Sequence, residues 1–172
     1  SKLGEKAGSN QNLTREIDNS TVLIYDADFA CYEVSDLEKT ARENFENLID
    51  MINMKRCIAG ATRVYACITL GKKSGREQMA TIKPYQENRD PDAPIKVRVR
   101  ELRHLLANYA AERIKVRVGL FYEADDIMCR LQNTLNSKGF KSILMSGDKD
   151  LWMVQGWHCD AKTGRMWKVD GY

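Results

Sequence analysis

Apolar residues recur along the chain with two different periods. Thr21 to Tyr25 is an unbroken β-branched and apolar run that stops at Asp26. That pattern predicts a buried strand ended by a carboxylate. From about Asp36 to Ala59, Phe45, Leu48, Ile49 and Ile52 return at helical spacing and Gly60 follows, so an amphipathic helix closed by glycine is predicted. Arg63 to Thr69 reads as a second strand. Val99, Leu102, Leu106 and Tyr109 mark the next helix, and Ile114 to Val118 a third strand. A helix from about Glu123 to Asn136 carries Ala124, Met128, Leu131 and Leu135 on one side, and Gly139 ends it. Phe140 to Met145 is a fourth strand, running into Ser146-Gly147-Asp148-Lys149-Asp150. The remainder reads as a strand near Trp157 and a hairpin turning at Lys162-Thr163-Gly164. Strands alternating with helices predict an α/β fold, a mostly parallel central sheet with helices on both faces.

Two segments lack either period. Residues 1–20 are polar and rich in Gly, Ser and Asn, and read as a flexible tail. Residues 70–95 hold Gly71, Gly75, Pro84, Pro91 and Pro94 among many charges, and read as a long basic loop of the functional kind. The expected organisation is one domain over 21–172. Its size supports that: 172 residues, 43% of them apolar, suffice for one core and not comfortably for two. No apolar run approaches the roughly 20 residues that span a bilayer, and the start of the chain has no hydrophobic secretion segment. A cytoplasmic protein without membrane contact is expected. Five cysteines, odd in number and without a C-x-x-C pair, read as reduced thiols. Two histidines exclude a multi-histidine metal site and leave few bases for a hydroxyl or thiol nucleophile.

Acidic residues gather where the apolar strands stop. Asp26 and Asp28 follow the first strand, Glu123, Asp125 and Asp126 open the helix after the third, and Asp148 and Asp150 follow the fourth. In a parallel sheet those strand ends share one edge, where such folds bind ligands. Carboxylates crowded there repel one another, and hard divalent cations such as Mg²⁺ or Mn²⁺ relieve the repulsion with oxygen ligands. Each cluster also has a plainer explanation. Acids suit a first helical turn, and Asp148, Asp150 and Asp28 are good turn or cap residues. Their joint recurrence at strand ends favours the metal.

The second feature is basic. Lys96, Arg98, Arg100, Arg103, Arg113, Lys115 and Arg117 fall close together, and Lys96, Arg100 and Arg103 share a helical face by spacing. Upstream lie Lys72, Lys73, Arg76, Lys83 and Arg89, with Tyr85 among them. Charged faces are often merely solvated. A basic loop with an aromatic ring beside an acidic metal edge is nonetheless what nucleic-acid phosphodiester chemistry requires.

Three segments then carry a resemblance. Val22-Leu23-Ile24-Tyr25-Asp26-Ala27-Asp28, Tyr122-Glu123-Ala124-Asp125-Asp126-Ile127 and Ile143-Leu144-Met145-Ser146-Gly147-Asp148-Lys149-Asp150-Leu151 resemble the flap endonuclease / 5′→3′ exonuclease family. The likeness is strongest to the bacteriophage enzymes and the nuclease domain of bacterial DNA polymerase I. Tyr85-Gln86-Glu87-Asn88-Arg89 is similar to the family's arch segment. The resemblance implies a PIN-like core and a metal-dependent, structure-specific nuclease acting on DNA with 5′ ends, flaps or RNA–DNA primers. It implies Asp26, Glu123, Asp125, Asp126, Asp148 and Asp150 as ligands for up to two Mg²⁺ or Mn²⁺ ions. By the same likeness Arg89 contacts the scissile phosphate, Lys83 assists it, and Tyr85, Lys96, Arg98, Arg100 and Arg103 hold the entering strand. A monomer is expected.

Three departures accompany it. The family places an aspartate after the second strand, where Thr69 stands, and an arch lysine where Gln86 stands. The family's helix–three-turn–helix part, expected after Asp170, is absent from this sequence. Three other readings compete. A haloacid-dehalogenase-type phosphatase would use Asp26 as nucleophile and Asp28 as acid/base, but Ala30 replaces its Thr or Val. A Toprim-like site would use Glu123, Asp148 and Asp150. A catalytically weak PIN-like domain would only bind nucleic acid or a partner.

Overall fold

The computed structural model describes residues 15–71, 93–120 and 124–171, without the side chains of Ala124 and Asp125. Six strands form one sheet: β1 (Asp18–Asp26), β2 (Ala61–Leu70), β3 (Ile114–Leu120), β4 (Lys141–Met145), β5 (Gly156–Cys159) and β6 (Met166–Val169). Their order is β3-β2-β1-β4-β5-β6, with all neighbours parallel except the β5–β6 hairpin. The α/β class read from the sequence is the one observed. Among the described residues four α-helices connect the strands: α1 (Ala27–Val34), α2 (Ala41–Ala59), α3 (Pro94–Ala107) and α4 (Ala124–Ser137).

Strand alternation divides the core in two. Leu23, Tyr25, Val64, Ala66, Ile68 and Ile143 pack with residues of α1, α2 and α3. Val22, Ile24, Tyr65, Cys67 and Leu144 point the other way, against Met128 and Leu135 of α4. Covering both faces is why β1 reads as a continuous apolar run. The order also has a consequence for function. From β1 the chain builds outward through β2 to β3, then returns by α4 to lay β4 on the other side of β1. The reversal leaves a crevice beyond the C-terminal ends of β1 and β4, the usual ligand position in open α/β sheets. Helices α1, α3 and α4 all start at this edge, so their positive dipole ends face it.

Three sequence expectations are corrected. The helix expected from about Asp36 starts five residues later, at Ala41, where Thr40 and Glu43 form a reciprocal capping box at 3.1 and 3.0 Å. A separate helix before it, α1, has too short an apolar stripe to stand out. Fixed structure also extends to before Thr21. The Arg15 backbone N–H donates to Cys57 O at 2.9 Å, its guanidinium reaches Ile58 O at 2.6 Å, and β1 begins at Asp18. Gly60, in the left-handed conformation at φ +67°, allows this close approach, since a Cβ there would lie 2.9 Å from Arg15 Cβ and Glu16 O. Finally, Asp148 opens a short 3₁₀ helix, Lys149–Met153, rather than a plain turn. Cys31, Cys67 and Cys159 are buried thiols and Cys57 and Cys129 half-buried ones. No helix among the described residues is long and apolar enough to cross a membrane.

Candidate active site

The end of β1 is the starting point. Asp26 closes the strand and caps α1, its Oδ1 accepting from the Asp28 backbone N–H at 3.1 Å. Across the crevice, Ser146 follows β4 and its hydroxyl lies 3.4 Å from Asp26 Oδ2. That same hydroxyl accepts from the Asp148 backbone N–H at 3.0 Å, and Asp148 Oδ1 accepts from Asp150 N–H at 2.9 Å. The segment after β4 is therefore tied to the end of β1 through one serine. Its far side is held by aromatic packing. Trp152 Nε1 donates to Ser146 O at 3.2 Å, and the Trp152 and Trp167 rings meet edge-to-face at 5.4 Å. Trp167 in turn lies flat on the buried His158 ring at 5.3 Å.

The electrostatics single out Asp26. Its carboxyl is pushed up to about 6, first by burial and then by the neighbouring Asp28 charge. Asp148 and Asp150 are exposed. Asp28 is paired instead: Arg103 Nε of α3 lies 3.1 Å from its Oδ1, with both side chains under one-fifth exposed. The Thr69 backbone N–H donates to the same oxygen at 3.0 Å. Thr69 itself is buried, and its hydroxyl has no hydrogen-bond partner. By strand alternation it lies on the α4 face of the sheet, as Asp26 does.

The expected ligands thus fare differently. Asp26 and the backbone of Asp148 are joined through the Ser146 hydroxyl at one edge, and Asp150 follows on the same segment. Helix α4 begins at the same edge and carries Asp126, which is half-buried, and Asp125. Glu123, Lys83, Tyr85 and Arg89 lie outside the described residues, as does the Asp125 side chain. Among the described residues no three acidic, histidine or cysteine side chains are close enough to hold an ion together. The donor chemistry, oxygen only, fits a hard divalent cation, but the described carboxylates alone do not complete a coordination shell.

The basic face of α3 also divides. Lys96 is half-buried and Arg100 exposed on this helix. Arg98 does not join them: its Nη1 donates to Lys39 O at 2.9 Å and Asp36 O at 3.1 Å, and reaches Asn44 Oδ1 of the buried Asn44 at 2.5 Å. Arg103 turns to Asp28 and lies 5.9 Å from the centre of the Tyr32 ring. Spacing places residues on a helix face, but a guanidinium on three methylenes reaches past it. Sequence reading also missed Ser146, whose role depends on β1 and β4 being neighbours. Asp28, held by Arg103 and Thr69, is not free to act as the acid/base of a dehalogenase-type reaction.

A cavity of about 800 Å³ lies at the other end of β4. Gln132, Asn136, Lys141, Trp157 and Lys168 line it, and it contains none of the clustered acids. The shifted carboxyl and the crevice at the strand reversal favour the Asp26 edge as the reactive site.

No protein-family model and no curated protein sequence matches the chain. Solved structures do. A flap endonuclease of bacteriophage T5, in a product complex with DNA and metal ions, superposes with a TM-score of 0.60 at 12% identity, over 86% of this chain and 57% of that one. A zinc-bound 5′-exonuclease of bacteriophage T5 gives 0.61 at 13%, over 86% and 58%. The chain spans under three-fifths of the length of these neighbours. It has the fold of the flap endonucleases and 5′-exonucleases.

Proposed function

We propose that this protein is a divalent-metal-dependent 5′ nuclease that hydrolyses phosphodiesters in DNA or RNA–DNA at 5′ ends or flaps, in the cytoplasm and as a monomer. The observation that carries the reading is Asp26. It is a buried carboxylate at the sheet reversal, its pKa raised by burial and by the Asp28 charge, and linked through the Ser146 hydroxyl to the Asp148 backbone, in a chain with the fold of phage 5′-nucleases. Asp26 and Asp148, with Asp125, Asp126 and Glu123 from the start of α4 and Asp150 behind, are the residues to hold up to two Mg²⁺ or Mn²⁺ ions. A bound ion supplies a water of lowered pKa and a positive charge for the phosphate.

The remaining work falls to the chain. Ser146 fixes the Asp26 carboxylate relative to Asp148. The starts of α1, α3 and α4 present positive dipole ends to a phosphate entering the crevice. Lys96 and Arg100 supply backbone contacts from α3, and Arg89, Lys83 and Tyr85 are assigned to the incoming strand and its scissile phosphate. The Arg98 and Arg103 pairings remove those two residues from the phosphate-binding set.

The test is cleavage of a labelled 5′-flap duplex with Mg²⁺ and with Mn²⁺, for the parent and for Asp125→Asn combined with Asp148→Asn. The parent should cut, and the double variant should lose cleavage while binding DNA equally or better. Parental cutting by the double variant would refute the metal-nuclease reading. Thr69 and the Arg103–Asp28 pair favour a second reading, a PIN-like domain that binds nucleic acid without cutting. Tight flap binding with no cleavage under either metal would establish that alternative.

A further inference from the structure

Asp28 and Arg103 form an ion pair at the Asp26 edge. The pair is built in. Both side chains are under one-fifth exposed, Thr69 N–H donates to the same carboxylate oxygen, and the Tyr32 ring lies beside the guanidinium. An arginine stays charged at every working pH, so this cation is permanent. With all three ionised, Asp26, Asp28 and Arg103 together carry two negative charges and one positive charge. Their contribution to the field a divalent ion would meet is that of a single carboxylate, beside the exposed Asp148 and Asp150.

We propose that Arg103 is the resident counter-cation of Asp28, withholding that carboxylate from any divalent cation and leaving Asp26 as the one uncompensated charge of the pair. This rests on the nuclease reading only in expecting a cation at the edge. Arg103 is then a positioning residue. It holds Asp28 in a fixed direction, and it sets how strongly the edge attracts metal. A cation seeking Asp28 must first displace a guanidinium that packing holds in place. The edge should consequently bind metal weakly.

The experiment is a calorimetric Mn²⁺ titration of the whole chain without nucleic acid, checked by loss of the free-Mn²⁺ electron-spin signal. Because no substrate is present, its outcome is independent of whether the protein cuts DNA. Arg103→Met and Arg103→Gln remove the positive charge and should tighten Mn²⁺ binding about tenfold, the order expected for one nearby charge acting on a divalent ion through partly hydrated protein. Arg103→Lys keeps the charge and should stay near the parent. Adding Asp28→Asn to either neutral variant restores the original balance and should return the affinity to within about threefold of the parent. Thermal melts confirm that each variant folds, and two neutral replacements guard against a fault peculiar to one. Unchanged or weaker binding in both neutral variants would overturn the proposal. So would a double variant as tight as Arg103→Met, because Asp28 would then not be the group unmasked. Absence of Mn²⁺ binding in every variant would also overturn it.

Discussion

Asp26 should make the protein less stable as it ionises, and Asp26→Asn should remove that effect. Folding moves the carboxyl from its ordinary 3.8 to about 6, through burial first and the Asp28 charge second. At about 1.4 kcal/mol per pH unit, the ionised form costs about 3 kcal/mol of folding free energy. The sign follows from proton counting. Well below the lower value the group is protonated in both states and costs nothing. Between 3.8 and about 6 the unfolded chain releases the proton first, so this contribution to stability falls as pH rises. Above that window the full penalty is present and constant.

Asparagine keeps the geometry. Its Oδ1 can still accept from the Asp28 N–H to cap α1, and the Ser146 hydroxyl can rotate to accept from the new amide. The assay is urea unfolding of parent and variant from pH 4 to 8, with EDTA present so that no metal relieves the charge. The variant should be more stable by about 3 kcal/mol at pH 8, with the difference shrinking toward zero near pH 4. Other carboxylates contribute to both curves and cancel in the difference. A variant less stable than the parent at pH 8, or a difference independent of pH, would refute the strain assigned to Asp26.

Two further substitutions separate structure from binding on α3 and at the second strand. Arg98→Ala should destabilise the fold by about 2–4 kcal/mol in the same urea assay, because it strips charged hydrogen bonds from Asp36 O, Lys39 O and the buried Asn44. Arg100→Ala should cost under about 0.5 kcal/mol. It should instead lower flap affinity and reduce the log–log salt slope by about 0.9 in anisotropy titrations. Thr69→Asp should lower the melting temperature in EDTA, since it buries a charge on the face that holds Asp26, and Mn²⁺ should restore part of the loss. A variant melting like the parent in EDTA would show that residue 69 does not share the Asp26 environment.

The sheet was legible because burial on both faces writes itself into β1, β2 and β4 as unbroken apolar runs. That Asp26 and the segment carrying Asp148 follow strands ending on one edge was legible for the same reason, since neighbouring parallel strands end together. Helix α1 was not, since it buries only Ala27, Ala30 and Cys31 and offers no long stripe. The fates of Arg98 and Arg103 were not legible either. Their partners, Asn44 with the 36–40 turn and Asp28, lie on other elements far away in sequence. Helical spacing assigned both arginines to one solvated face, whereas α3 packs against α1 and α2 and offers those side chains carbonyls and a carboxylate to bond. Ser146 was missed because a serine after a strand is unremarkable until its neighbouring strand is known.

The contrast between Asp26 and Asp28 argues most strongly for chemistry at this edge. Two carboxylates stand two residues apart, and the fold treats them oppositely. Asp28 receives a guanidinium and a backbone N–H, so its charge is met from within. Asp26 receives a backbone N–H and one long hydroxyl contact, and its carboxyl remains displaced upward. Neither capping nor packing requires a charge at residue 26, because asparagine caps a helix equally well. A charge that the fold neither needs nor neutralises is best explained by something arriving from outside. At an edge where three helices begin and Asp148 is exposed, a divalent cation accompanied by a phosphate fits both signs of the field. The cation would relieve Asp26, and the phosphate would meet the helix starts. If Mn²⁺ lowers the apparent pKa of Asp26 toward its ordinary value, the two features belong to one site. If the pKa stays where it is with metal bound, the ion sits elsewhere and the strain at Asp26 needs another explanation.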